Sequence, residues 1–243
     1  MQDAVMDLIN NGCETIVYQS INCTLYSDFE DYGFALPMLH KFAANRARVI
    51  LADQLGNQAA CRDAYLAILK NRLIEIPAGK KVLVILSKHG HPFKNETMDL
   101  RADIYRHSLE LGVREMMKNW QGQWDLIWSS DEYVNDKQIK KQLNLDTYSA
   151  YRKAIEDGYD YALEIPTEFI AENTDQMIFH GMKKFSAFAE YDRFLPIPYP
   201  DWNYPLIRRF TEGRTTGIYC GTPVGPYRKY MVQAAVDSIS EVL

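Results

Sequence analysis

The fold class is indicated most clearly by the stretch KKVLVILSKHGHP, residues 80–92. Its five consecutive apolar residues, Val82–Leu86, are typical of a strand that is buried on both faces of a parallel sheet. Gly90 and Pro92 then predict a loop, and apolar residues at helical spacing follow over 98–119. Strand, loop and helix in this order form the repeating unit of an α/β sheet.

The same unit recurs on both sides of this stretch. Strands are predicted at 15–18, 48–51, 82–87, 124–128 and 161–165. Helices are predicted at 3–10, 35–46, 57–74, 98–119, 147–157, 174–189 and 230–242. Residues 195–226 are rich in proline and glycine without a steady period, which indicates a long irregular connection. The sequence therefore predicts an α/β fold with parallel sheets flanked by helices.

A break in the pattern divides the chain in two. Pro77-Ala78-Gly79-Lys80-Lys81 interrupts the periodicity, so we expect one unit over 1–78 and a second over 79–243. The second unit has the elements of a nearly complete α/β domain, whereas the first has only two strands and is partial.

The composition of the chain limits the classes of function and the partners that are expected. The chain has 243 residues, 47% of them hydrophobic, and a formal charge of -5, which disfavours nucleic acid as a partner. No apolar run approaches the roughly 20 residues of a transmembrane helix, and the start lacks the pattern of a signal peptide. The four cysteines include no CxxC pair, so reduced thiols in a cytoplasmic protein are expected.

Two segments rich in potential metal ligands follow predicted strands. The first holds His89 and His91 around Gly90, and the second holds Glu172 and Asp175. In open parallel sheets, ligands bind beyond the carboxyl ends of the strands. An imidazole accepts protons and binds iron, cobalt, nickel or zinc, and carboxylates add negative charge and a second base. Each segment also has a purely structural interpretation. The first can be an ordinary turn, and the acidic residues of the second can lie at the start of a helix, where the helix dipole favours negative charge.

The two segments resemble signatures of the ferrochelatase-like family, the class II tetrapyrrole chelatases. Val84–Pro92 (VILSKHGHP) is similar to a strand running into a Ser-x-His-Ser/Gly-x-Pro loop, with His89 at the catalytic histidine. Pro166–Asp175 (PTEFIAENTD) resembles Pro-x-x-Phe-x-x-Glu/Asp-His-x-Glu. Leu126–Ser130 resembles a strand before a porphyrin-facing loop, and the likeness extends over most of residues 4–206.

The resemblance implies a flavodoxin-like chelatase architecture and a lyase of heme or related biosynthesis, which inserts a divalent metal into a tetrapyrrole. His89 would accept pyrrole protons, while Glu172 and Asp175 would deliver the metal or relay protons. Together these three would be the catalytic and metal-binding residues. Tetrapyrrole contacts are implied for Tyr26, His91, Trp128, Tyr133 and Asn173. The metal, Fe²⁺, Co²⁺ or Ni²⁺, would be a substrate, and no tightly bound cofactor is expected.

The chain also departs from the family. Asn173 stands where a second histidine is usual, and Asp175 replaces a glutamate and so shortens the reach of its carboxylate. Phe179 and Lys183 occupy the helix that normally carries an acidic row. The first strands and helices of the family's N-terminal domain have no counterpart. We expect that the chain is a fragment, or that a second copy or another partner covers the exposed sheet edge.

These departures keep two other functions open. One is a non-catalytic tetrapyrrole- or metal-binding protein that retains the chelatase fold. The other is an unrelated flavodoxin-like module, which would not respond to any tetrapyrrole. The sequence leaves the macrocycle, the metal and the oligomeric state undecided.

Overall fold

A computed structural model describes residues 1–24, 33–88, 100–130, 145–171 and 208–243. The helices in these ranges are α1 (Gln2–Asn10), α2 (Leu36–Ala43), α3 (Ala59–Ile74), α4 (Leu100–Met117), α5 (Thr147–Glu156) and α6 (Arg228–Ser240). The strands are β1 (Thr15–Tyr18), β2 (Arg48–Leu51), β3 (Val82–Lys88), β4 (Trp124–Ser130), β5 (Tyr161–Pro166), β6 (Arg208–Glu212) and β7 (Thr215–Tyr219). The predicted α/β class is confirmed. None of the described helices is long and apolar enough to cross a membrane.

The larger sheet has the order β4-β3-β5-β7-β6. All of its pairs are parallel except β6 with β7. Strand β3 lies between β4 and β5, and every one of its residues is buried. This position explains its continuous apolar run, because a strand with neighbours on both edges and helices on both faces has no side facing water.

Helices cover both faces of this sheet, as predicted. Val82, Val84 and Leu86 pack in the same core as α3, α4 and α6. Leu83 and Ile85 point the other way and pack with α5. The alternation follows from the two-residue period of a strand, which sends successive side chains to opposite faces.

A second, two-stranded sheet is formed by β1 and β2, which pair in parallel from Thr15↔Arg48 to Tyr18↔Leu51. Helices α1 and α2 pack against it through a small core of Val5, Ile16, Leu39 and Ala43. The strands and helices predicted for this region are therefore present.

The predicted junction at 77–81 is a turn between α3 and β3. Ile68 and Leu69 of α3 pack in the same core as Val82 and Val84 of β3, so the helix before the turn lies against the sheet that follows it. The division into 1–78 and 79–243 stays a prediction.

The irregular connection predicted over 195–226 is wrong for residues 208–219. These residues form a hairpin of β6 and β7, in which Phe210 faces Gly217. Gly213 adopts a φ of 60° in the two-residue loop, a conformation that favours glycine. In the sequence, the pair Glu212-Gly213 could have indicated the turn of this hairpin, but the nearby prolines and aromatic residues made the region look irregular. The predicted helix at 174–189 lies outside the described residues.

Replacing Gly56 with alanine is expected to lower the free energy of unfolding by about 3 kcal/mol. An added Cβ would lie 2.2 Å from the carbonyl oxygen of Cys23 and 2.7 Å from Cγ of Tyr105. The Gly56 amide also donates to that carbonyl oxygen at 2.8 Å, so the backbone cannot easily move away. Urea unfolding curves measure the change.

Gly112→Ala is the matched control for Gly56→Ala. Its added Cβ would meet a terminal methyl of Leu66 at 2.9 Å, and a flexible side chain can shift. Alanine also favours helix α4 by about 1 kcal/mol over glycine, so a change within about 1 kcal/mol is expected. Equal losses for both variants would contradict the clash at Gly56.

Asp160 gives a pH-dependent contribution to stability. Its carboxylate accepts from the Lys81 amide at 2.9 Å and from Arg214 at 3.0 Å, and Lys80 lies 3.5 Å away. The Lys81 hydrogen bond, followed by these cations, lowers the pKa of Asp160. A lowered pKa means that the stabilisation is present above the unfolded pKa of about 3.9 and is lost as the pH falls through the folded value.

Asp160→Asn is therefore expected to cost about 1 kcal/mol near pH 7, because a partly exposed charged acceptor is lost. The difference from the wild type should shrink as the pH falls and vanish below the lowered folded pKa of Asp160, where both side chains are neutral. Denaturation midpoints from acidic to neutral pH test this. If the difference in stability between the wild type and Asp160→Asn stays constant down to the lowest pH, the carboxylate is not the source of that difference.

Candidate active site at the carboxyl edge of the sheet

The two strands that precede the candidate motifs are direct neighbours. Strands β3 and β5 run parallel, with Ser87 opposite Pro166. Beyond this pair, the Thr167 amide donates to the Ser87 carbonyl oxygen at 2.9 Å, and the Thr167 hydroxyl donates to the same oxygen at 3.0 Å. The chain therefore continues from Lys88 and from Thr167 at the same edge of the sheet.

Most of the predicted site residues lie outside the described part of the chain. These are Tyr26, His89, His91, Tyr133, Glu172, Asn173 and Asp175. The description ends at Lys88, immediately before His89, and at Ala171, immediately before Glu172. The roles of these side chains and the distances between them stay predictions. The structure does describe Lys88 and Ala171, the residues from which the two motifs continue.

Trp128 is the predicted site residue that the structure describes. It lies on β4, is partly buried against the core beneath α4, and donates from Nε1 to Oε2 of Glu110 at 2.8 Å. Burial alone would raise the pKa of Glu110, but the hydrogen bonds from Trp128 and Arg114 outweigh it and lower the pKa. Glu110 therefore stays ionised and fixes the indole against α4. A tetrapyrrole contact by Trp128 stays a prediction.

The residues that follow β5, Thr167–Ile170, are tied to three neighbouring elements, and we call them the anchored segment. Tyr105 of α4 donates its hydroxyl to the Thr167 carbonyl oxygen. Tyr65 of α3 donates to the Phe169 carbonyl oxygen at 3.0 Å. The Val224 amide, in the loop before α6, donates to the Ile170 carbonyl oxygen at 2.9 Å. Backbone carbonyls that would otherwise be buried without partners are satisfied in this way.

An ion pair holds the anchored segment from the side. Nε of Arg106 on α4 lies 2.6 Å from Oε1 of Glu168, and the two side chains are only 9% and 2% exposed. Asp103 lies 3.5 Å from the same guanidinium. A charge-assisted hydrogen bond this deep in the protein is short and directional, so it fixes the position of the backbone at Glu168.

The two tyrosines remain neutral donors. Burial, followed by the nearby Cys23, raises the pKa of both Tyr65 and Tyr105 well above the ordinary value. Both hydroxyls therefore keep their protons near neutral pH, and the anchored segment keeps these two hydrogen bonds.

A buried carboxyl lies under the same edge of the sheet. Glu164 of β5 is 1% exposed and accepts from the Ser87 hydroxyl at 3.0 Å and from the Tyr151 hydroxyl at 2.9 Å. Burial, followed by the proximity of Glu164, raises the pKa of Tyr151, which therefore donates. Ser87 thus links the end of β3 to a buried acid, two positions before His89.

The end of β4 adds further polar groups. Ser130 pairs with Lys88, which is itself mostly buried. The hydroxyls of Ser129 and Thr147 are 2.8 Å apart. The buried hydroxyl of Ser130 has no hydrogen-bond partner among the residues the structure describes. Strands β3 and β4 therefore end in polar side chains, and the polar Thr167 and Glu168 follow the adjacent β5, which is a common setting for a ligand site.

No group of three or more metal-binding side chains occurs within the described ranges. The predicted ligands His89, Glu172 and Asp175 all fall outside those ranges. The described contacts support the two points of the chain, Lys88 and Ala171, from which the predicted donor set continues.

Several residues of this support were not found from the sequence. Arg106, Tyr65 and Tyr105 sit in ordinary helical patterns, so nothing local marks them. Glu164 had a signal, since it is a charged residue in the otherwise apolar strand YALEIP. A buried charge in the middle of a sheet requires hydrogen-bond partners, and that requirement could have pointed to it.

Comparison with known proteins adds no assignment: no protein-family model matches the chain, and no curated protein matches it.

Proposed function

We propose that the chain inserts a divalent metal ion, Fe²⁺ or a similar ion, into a tetrapyrrole, as its resemblance to the ferrochelatases implies. The observation that carries the proposal is the direct parallel pairing of β3 and β5, which brings the starts of both motifs to one edge of the sheet. The histidine motif continues from Lys88 and the carboxylate motif from the anchored segment beside it.

The proposed reaction needs a base and a weak metal site. Insertion of M²⁺ into the free macrocycle releases two pyrrole protons, so the net charge of the ring does not change. His89 accepts pyrrole protons, because a neutral imidazole is a base near physiological pH. Glu172 and Asp175 hold the hydrated metal weakly through oxygen, so that the ion can leave for the ring nitrogens. The metal is a substrate.

The anchored segment gives the carboxylates a fixed starting point. Its hydrogen bonds to Tyr65 and Tyr105 and its ion pair with Arg106 reduce the conformational freedom of the chain just before Glu172. A catalytic group on a rigid support needs less ordering in the transition state, which favours catalysis. The buried pair of Ser87 and Glu164 supports the end of β3 in the same way.

A spectroscopic assay tests the proposal. The purified chain is mixed anaerobically with a free-base porphyrin and Fe²⁺, and in parallel with Zn²⁺, and the visible spectrum is followed. We expect the free-base bands to be replaced by those of the metalloporphyrin, faster than in a sample with heat-unfolded chain. Insertion no faster than in that control would overturn the proposal.

The second candidate, a non-catalytic binding protein, rests on Asn173, which removes one expected proton or metal ligand. In the same assay it predicts a shift of the porphyrin bands on binding without conversion to the metalloporphyrin. An unrelated flavodoxin-like module predicts an unchanged spectrum.

A further inference from the structure

Two buried cysteines lie next to each other beneath the anchored segment. Sγ of Cys61, in the first turn of α3, is 3.6 Å from Sγ of Cys23, and both residues are fully buried. The other two cysteines are elsewhere: Cys13 is half-buried, and the Cys220 thiol contacts the Ile218 carbonyl oxygen.

The backbone holds the two thiols together. The Cys23 carbonyl oxygen accepts from the Gly56 amide at 2.8 Å, and the Asn22 carbonyl oxygen accepts from Leu55 at 3.2 Å. The Cys61 amide donates to the Gln58 carbonyl oxygen at 3.1 Å. Because both residues are held in this way, the sulfur atoms lie close together without a covalent bond between them.

The donor and the acceptor of each hydrogen bond in this cluster can be assigned. Tyr65 has one hydroxyl proton, which it donates to the Phe169 carbonyl oxygen. In its 3.0 Å contact with Cys23, Tyr65 must therefore be the acceptor and the Cys23 thiol the donor. The Cys61 thiol donates in turn to Cys23. A chain of hydrogen bonds thus leads from Cys61 through Cys23 and Tyr65 to the anchored segment.

We propose that Cys23 and Cys61 form a redox-sensitive dithiol, which peroxide converts to an intramolecular disulfide and which transmits its state through Tyr65 to the anchored segment. The sulfur atoms need to approach by about 1.5 Å to reach the S–S bond length of about 2.05 Å.

The chemistry balances with hydrogen peroxide as the oxidant. One thiol takes an oxygen atom from peroxide, which gives a sulfenic acid and water. The second sulfur then attacks the first, the S–S bond forms, and a second water leaves. The two sulfurs lose two electrons, which reduce the O–O bond. The hydrogen bond to Cys23, followed by burial, raises the pKa of Cys61, so the Cys61 thiol keeps its proton and reacts with peroxide only slowly, because the thiolate is the nucleophile.

Oxidation changes what Tyr65 contacts. The disulfide has no S–H group, so the Tyr65 oxygen loses the hydrogen bond that the Cys23 thiol donated. Hydrogen bonds in a chain strengthen one another, and the bond from Tyr65 to Phe169 therefore weakens when this donor is lost. The state of the two cysteines thereby affects the backbone that leads to Glu172, whether or not the chain inserts metal.

The test uses the intact chain, treated with hydrogen peroxide and then unfolded and alkylated. We expect the loss of two hydrogen atoms per chain, a cross-linked peptide that contains Cys23 and Cys61, and full reversal by a dithiol reductant. Hydrogen exchange at the backbone amides of the anchored segment should become faster on oxidation, by up to about twofold. Cys13→Ser, the matched control, should behave like the wild type in both measurements.

Cys61→Ala and Cys23→Ala should each abolish the cross-link and the change in hydrogen exchange. Because either substitution removes one of the two thiols, the test still works if one of the two variants does not fold. Sulfinic or sulfonic acids at these positions, a cross-link to Cys13 or Cys220, or alkylation of Cys23 and Cys61 after oxidation would overturn the disulfide. A Cys23–Cys61 disulfide that leaves the exchange of the anchored segment unchanged would overturn the transmission through Tyr65. None of these readouts depends on metal insertion.

Discussion

His89→Ala is expected to abolish metal insertion, with a loss of at least about 100-fold in rate, while tetrapyrrole binding is largely retained. A general base contributes about 10²–10⁴-fold to a rate, and alanine can neither accept a pyrrole proton nor bind the metal. Binding of the macrocycle depends mainly on the burial of its apolar faces, to which one imidazole adds little. Initial rates of metalloporphyrin formation and a porphyrin titration of the same samples separate the two effects.

The matched control is His40→Ala, which removes an exposed histidine from α2 in the smaller sheet unit. It should leave both the rate and the binding unchanged. Loss of tetrapyrrole binding in His89→Ala, with an unchanged rate per bound complex, would assign His89 to substrate binding and would contradict its role as the base.

Arg106→Met should lower the free energy of unfolding by about 3 kcal/mol, because it leaves the Glu168 carboxylate buried without its guanidinium partner. Glu168 is 2% exposed at its side chain, so water cannot replace the lost contact. Glu168→Gln should cost less, since Arg106 keeps its contact with Asp103 at 3.5 Å and the glutamine still offers an oxygen. Urea denaturation of the three proteins measures the order.

Arg114→Met on the same helix is the control for this substitution. Arg114 pairs with Glu110 at 2.8 Å, but its side chain is 48% exposed, so the expected loss is about 0.5 kcal/mol or less. Arg106→Met combined with Glu168→Leu should recover part of the stability, because no buried charge is left over. Losses of equal size for Arg106→Met and Arg114→Met would show that burial of the ion pair has no special effect.

Much of the fold could be predicted from local patterns. The continuous apolar run Val82–Leu86 predicted a strand buried on both faces, and β3 is such a strand. Helical periodicity located α3 and α4 to within two residues of their ends. The hairpin of β6 and β7 was missed because its five-residue strands have only weak alternation, and the favourable pairing arises between the strands rather than within either of them.

The site could be predicted only in part. The polar residues after β3 and β5 pointed to the carboxyl edge of the sheet, and the direct pairing of these strands supports that location. The residues that hold this edge were not predictable, because Arg106 and Glu168 are 62 positions apart and Tyr65 and Phe169 are 104 apart. Patterns within a window of one helix or strand contain no information on such pairs.

Local sequence patterns were enough to predict the order of the described elements as far as β5, the parallel α/β class and the attachment of both motifs to the ends of strands. These properties depend on hydrophobic periodicity and on backbone preferences, which act over a few residues. Three contacts became known from the folded chain alone: β3 beside β5, Arg106 paired with Glu168, and Cys23 against Cys61. Those contacts arise from the way in which helices pack on the sheet, since packing brings together residues that are far apart in the chain.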